Sequence, residues 1–216
     1  MKSTLIKCGW LVTLDPAIGE IKGGELLISG NTIKAAGRSL NASADETIDA
    51  TDKIVMPGLV NAHMHTWETA LRGIGAEWMS ADYFKHVHSN LATRYKPEDN
   101  YLSNYMGALA QIDAGVTTLV DWCHNITSIE HAERAVDGLV DSGIRAVFAH
   151  GTAKPIGLET GTPFTHVPHP RERIAHLRKG RLASDDARVT LAMAILGPDW
   201  GAWEVVEHDI RMAREF

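Results

Sequence analysis

The spacing of apolar positions changes character near residue 58. Before it, apolar residues come in short runs, Leu5-Ile6, Trp10-Leu11-Val12-Thr13-Leu14, Glu25-Leu26-Leu27-Ile28 and Thr32-Ile33-Lys34-Ala35-Ala36, separated by turn signals such as Gly23-Gly24 and Gly30-Asn31. Such runs predict strands. Ser29-Gly30-Asn31-Thr32 predicts a hairpin turn, because Gly and Asn tolerate positive φ. A further strand around Glu46-Thr47-Ile48-Asp49 leads through Thr51-Asp52-Lys53 into Ile54-Val55-Met56.

From Leu59 onward strands alternate with helices, the mark of parallel βαβ units and an α/β fold. Pro57-Gly58 launches a strand over residues 59–65 that is too short and too apolar to be a surface strand. A helical region follows, in pieces over 80–91 and 97–114, with Pro97 near the first helical position and Gly115 as the stop. The β-branched run Val116-Thr117-Thr118-Leu119-Val120 predicts a buried second strand. Thr127 and Glu130 have the spacing of a capping box for the next helix, which ends at Gly143. Strand three covers 145–150, strand four 189–196, and the last helix 203–216. Between strand three and a basic helix at 171–181, residues 151–170 form a long loop rich in Gly, Thr and Pro; loops of that length are more often functional than accidental.

Size and composition narrow the class. The chain has 216 residues, 44% hydrophobic and 22% charged, so a buried core is expected. The net charge of -6 provides no basic footprint for nucleic acid or an anionic membrane surface. Lys7 interrupts the apolar N-terminal run, and no stretch is long enough to span a bilayer, so a cytoplasmic location is expected. Cys8 and Cys123 fall in different parts of the chain, which argues against a disulfide framework. Cys123 has no basic partner in the sequence and reads as a small apolar filler rather than a nucleophile.

The chemistry is concentrated in His63 and His65. Side chains at i and i+2 of a strand leave the same face, so both imidazoles project from the strand's C-terminal end, as half of a metal site or as two solvated polar residues. The string Val55-Met56-Pro57-Gly58-Leu59-Val60-Asn61-Ala62-His63-Met64-His65 resembles the first barrel strand of the amidohydrolase superfamily. Its continuation Ala70-Leu71-Arg72-Gly73 is similar to the branch of cytosine, guanine, methylthioadenosine and adenosylhomocysteine deaminases and triazine hydrolases. The resemblance is specific over 55–73, moderate from Gly115 to Asp121, and weaker elsewhere.

That resemblance implies an organisation. Residues 58–216 would be the first four βα units of a TIM-type (β/α)8 barrel, which needs eight units and typically about 250 residues. Residues 1–57 would be the N-terminal part of a small β-sandwich domain completed by strands absent here. His63 and His65 would bind one divalent metal, zinc or iron. Strand four holds no lysine to be carboxylated, which favours the one-metal type. The signature of the unrelated zinc nucleobase deaminases is absent. Trp67, His124, His150 and Asp199 lie at strand ends and read either as substrate-pocket residues or as ordinary packing, whereas His86, His88, His131, His166, His169, His176 and His208 read as solvated surface.

The implied chemistry is hydrolytic deamination, or the related dechlorination, of a nitrogen heterocycle such as an aminopurine, aminopyrimidine or triazine. Two further histidines, a general-base glutamate and an aspartate would come from strands beyond Phe216, so no catalytic acid or base is assigned in this sequence. If affinity scaled with ligand number, two histidines would keep half of the roughly 10 to 16 kcal/mol of a four-ligand zinc site, a Kd of roughly 1 μM to 0.1 mM. The chain alone is therefore expected to be inactive, and unpaired outer strands predict a homo-oligomer. The other class of reading is a non-catalytic half-barrel that binds or scaffolds; the stop inside an amphipathic helix at Arg214-Glu215-Phe216 favours the fragment.

Overall fold

The structure, a computed structural model, describes residues 1–153 and 163–216 and divides into two compact units, Met1–Gly58 and Leu59–Phe216. Residues 154–162 of the loop expected at 151–170 lie outside the described residues.

The first unit is a five-stranded sheet of β1 (Ser3–Val12), β2 (Glu20–Lys22), β3 (Glu25–Ser29), β4 (Thr32–Gly37) and β5 (Glu46–Val55), in which β5 pairs parallel with β1 and the other pairings are antiparallel. The two runs expected at Leu5-Ile6 and Trp10–Leu14 are one strand. Its register with β5 shifts between Cys8 and Trp10, where β5 carries the extra residues, and Gly9 lies against them: a Cβ there would lie 2.5 Å from the Thr51 carbonyl oxygen. A glycine inside a strand commonly marks such a bulge. Cys8 and Leu11 of β1 pack with Leu26 and Ala50 in one buried cluster. The β3–β4 hairpin turns at Gly30-Asn31 with Gly30 at φ +61°, as the sequence predicts.

The second unit is α/β: a four-stranded parallel sheet of β6 (Leu59–Met64), β7 (Val116–Cys123), β8 (Arg145–His150) and β9 (Val189–Met193), neighbours in chain order. A short α1 (Ser80–Tyr83) and α2 (Pro97–Asp113) lie between β6 and β7, α3 (Ile129–Ser142) precedes β8, α4 (Arg171–Lys179) precedes β9, and α5 (Trp203–Glu215) ends the chain. Apolar positions Ala132, Ala135, Val136 and Leu139 of α3 fall on one helical face and meet Leu119, Ala146 and Phe148 of the sheet in one buried cluster. Gly143 closes α3 at φ +80°, a conformation open to glycine.

Three local expectations are corrected. The cap of α3 is Ser128, whose hydroxyl accepts from the His131 amide, not Thr127; the sequence offers adjacent hydroxyls and the backbone uses the second. The helix expected over 80–91 is α-helical only to Tyr83 and continues as a π-helical segment, Phe84–Leu91. The strand expected to be buried is open, with Leu59 51% and Val60 66% exposed, because β6 is an outer strand paired on one edge by β7. No helix among the described residues is long and apolar enough to cross a membrane.

Candidate metal centre

β6 does not pair evenly with its neighbour to its end. Its ladder with β7 slips between Asn61 and Met64, and Asn61 turns its amide to Gln111 of α2 at 2.8 Å while its carbonyl oxygen accepts the His63 amide at 3.2 Å. Asp121 of β7 then fixes the exit. One carboxylate oxygen accepts the Thr66 amide at 2.9 Å, and the other accepts from Asn104 of α2 at 3.0 Å; Asn104 donates as well to the Ala135 carbonyl of α3 at 3.1 Å. A chain of buried polar groups thus runs from α3 to the residue following His65. Burial pushes the Asp121 carboxyl up to about 6, against the opposing effect of the donors from Thr66 and Asn104.

His63 and His65 come together. Their ring centroids are 5.1 Å apart and edge-on, and both rings lie beside the Trp122 indole. The Nδ1–H of His65 donates to the Trp122 carbonyl at 2.8 Å. A carbonyl accepts only, so this bond places the proton on Nδ1 and the lone pair on Nε2, the arrangement common in metal-ligating histidines.

A second cluster adjoins the first. After His65 the chain makes a 3-10 turn, Thr66–Leu71, held by the Tyr95 hydroxyl donating to the Trp67 carbonyl at 3.2 Å and by the close approach of Gly107, where a Cβ would fall 2.3 Å from Thr69 Oγ1. This turn presents Glu68, which accepts from the Tyr83 hydroxyl. Burial and the Glu68 carboxylate push the Tyr83 phenol far up. The ring of His124, at the end of β7, lies 4.3 Å from that of His65 and 4.8 Å from that of His88. One donor atom from each of Glu68, His88 and His124 lies within 4.8 Å of the others.

Trp67 is fully buried, edge-on to Tyr95 and His124, each at 5.4 Å. His150 is fully buried at the end of β8, where burial holds its imidazole well below the ordinary histidine range. Asp199 is exposed in the turn after β9, beside Trp200, whose ring lies 6.0 Å from Phe84 of the π-helical segment. The Cys123 thiol is fully buried and pushed well up by burial and by Asp121, so it fills space.

Two histidines read as surface are interior. His88 is 4% exposed and lies beside Val87 on the buried side of the π-helical segment, against Trp67, Tyr83 and Phe84. His169 is buried between the Asp209 carboxylate at 2.7 Å and the His150 carbonyl at 2.9 Å. Burial alone would raise the Asp209 carboxyl, but hydrogen bonds from His169 and His208 hold it below the usual range. Glu68 was visible three residues after His65 but had no assigned role; its partners lie in segments whose proximity only the fold creates.

No family model matches the chain. Its sequence is 32% identical over 152 residues to a 5'-deoxyadenosine deaminase of Methanosarcina acetivorans, covering 70% of this chain and 34% of the relative. It is 28% identical over 149 residues to a 5-methylthioadenosine/S-adenosylhomocysteine deaminase of Thermococcus kodakarensis, covering 69% and 33%. The chain spans about a third of the length of these curated relatives. Among solved structures, a triazine hydrolase variant superposes with a TM-score of 0.83 at 23% identity over all of this chain and 51% of that one. An atrazine chlorohydrolase of Arthrobacter aurescens complexed with zinc superposes at 0.78 and 22% identity, over 98% and 51%. In sequence the chain is therefore similar to about a third of the length of adenosine-derivative deaminases, and its fold is that of about half of a triazine hydrolase chain.

Proposed function

We propose that Leu59–Phe216 supplies the first four βα units of an eightfold hydrolase barrel, and that Met1–Gly58 is part of its companion β-sandwich. In this reading His63 and His65 are two ligands of one divalent cation, zinc in preference to iron, in an enzyme that deaminates an adenosine-type heterocycle hydrolytically. The observation that carries it is the histidine pair. Two imidazoles bound to one zinc at about 2.0–2.1 Å and a tetrahedral angle have ring centroids roughly 5 Å apart, and the pair here is at 5.1 Å.

The chemistry such a cation supplies when bound is hydroxide at about neutral pH. The chain's own residues do the positioning. Asp121 holds the backbone after His65, and the Trp122 carbonyl sets the His65 tautomer, so both imidazoles are oriented before any ligand arrives. This reading assigns the substrate pocket to Trp67 and His150, both fully buried, and to Asp199, exposed after β9. Proton transfer to the leaving amine falls to groups contributed by the rest of the barrel.

A fusion of Met1–Phe216 to the remaining C-terminal part of the Methanosarcina acetivorans deaminase tests the reading. The expected result is ammonia release from 5'-deoxyadenosine by the fusion, none by the 216-residue chain alone, and loss of activity in the His63→Asn/His65→Asn fusion. A folded, zinc-loaded fusion without turnover, or one indifferent to that double substitution, would overturn it.

A further inference from the structure

We propose that Glu68, His88 and His124 form a second divalent-cation site, separate from the His63–His65 pair and made entirely by this chain. Two imidazoles and a carboxylate are an established zinc donor set that leaves a position open. The three donors come from three segments: the 3-10 turn after β6, the π-helical segment and the end of β7. Their mutual distances are all within 4.8 Å. Around a zinc ion with donors at about 2.0–2.1 Å, tetrahedral ligands stand roughly 3.4 Å apart, so side-chain adjustment of about 1.4 Å closes the widest gap. The His88 and His124 centroids, 4.8 Å apart, are already near the spacing that two zinc-bound imidazoles adopt.

The surroundings fit the same role. His88 and His124 are 4% and 2% exposed, which removes competing water. Tyr83 donates to Glu68, the outer hydrogen bond that orients a ligating carboxylate. A metal site also needs a route in. A cavity of about 360 Å³ lined by Glu68, Arg72, Trp78, Tyr83 and Val87 adjoins the carboxylate and opens to solvent. His124, read from sequence as a pocket residue, becomes a ligand. The neighbouring His65 ring, 4.3 Å from that of His124, makes the two sites adjacent without sharing a donor in this assignment.

The test is cobalt titration of the full 216-residue chain, with stoichiometry from elemental analysis and ligand-field absorption as the readout. The His63→Asn/His65→Asn variant is expected to bind one equivalent fewer than wild type and to retain a cobalt with tetrahedral absorption. Adding Glu68→Gln to it should weaken that remaining equivalent by at least tenfold, and adding Tyr83→Phe instead should weaken it by about tenfold. Glu68→Gln keeps the side chain's shape on a half-exposed residue, and metal-free melting verifies the fold. A folded His63→Asn/His65→Asn variant that binds no cobalt would overturn the second site, as would cobalt retained at full affinity after Glu68→Gln. If instead that double variant keeps the wild-type stoichiometry, the proposed role of His63 and His65 fails and this one stands.

Discussion

Asp121 is the side chain on which the end of β6 rests, and its ionisation has a cost that pH can read. Its carboxyl is pushed up to about 6 in the folded chain, against about 3.8 when solvated, so the folded state binds the extra proton between those values. Stability from this group is therefore greatest below about pH 4 and is lost as pH rises through 6, by about 3 kcal/mol in all. Urea unfolding in chelated buffer from pH 4 to 7 should show this slope in wild type and not in Asp121→Asn; parallel profiles would contradict it. His169 gives a second prediction at this scale. His169→Ala leaves the Asp209 carboxylate buried without its main partner and should cost about 3–5 kcal/mol, read as a lower unfolding midpoint. An unchanged midpoint would mean that the pair contributes nothing. His63 and His65 were legible because two residues of one strand meet by local geometry alone. His88 and His169 were not, since Trp67 and His124 beside the one and His150 and Asp209 beside the other come from distant segments of the chain.

At the scale of elements, strand and helix order could be read from β-branched runs and the glycines that stop them, as Gly115 and Gly143 show at φ +84° and +80°. The π-helical segment could not be read. His88 stands one residue after Val87 and four after Phe84, and it packs against the rings of Trp67, Tyr83 and Phe84. Close approach of α2 to the 3-10 turn is the contact most sensitive to volume. Gly107→Ala puts a methyl 2.3 Å from Thr69 Oγ1 and 2.6 Å from Thr66 Cγ2, so it should destabilise by about 1–3 kcal/mol and weaken cobalt binding at Glu68. Gly143→Ala, strained by its positive φ but remote from the turn, should lower stability by about 1 kcal/mol and leave cobalt binding unchanged. Equal effects of the two on the metal would remove Gly107 from the positioning of the turn.

The whole molecule presents a parallel sheet whose outer strands are β6 and β9, with Leu59 and Val60 of β6 exposed. Parallel sheets are stable when both faces and edges are covered, so the isolated chain should self-associate through these strands. Sedimentation velocity is expected to show a dimer or larger species that Val60→Lys shifts toward monomer; a wild-type monomer would contradict this. The assembled site depends on one cation joining two neighbouring imidazoles. Long-range proton–nitrogen NMR of the 216-residue chain during zinc titration resolves each ring. The Nε2 resonance of His65 and one ring-nitrogen resonance of His63 are expected to move together on the first additions, and only one of the two rings responding, or neither, would contradict the shared cation.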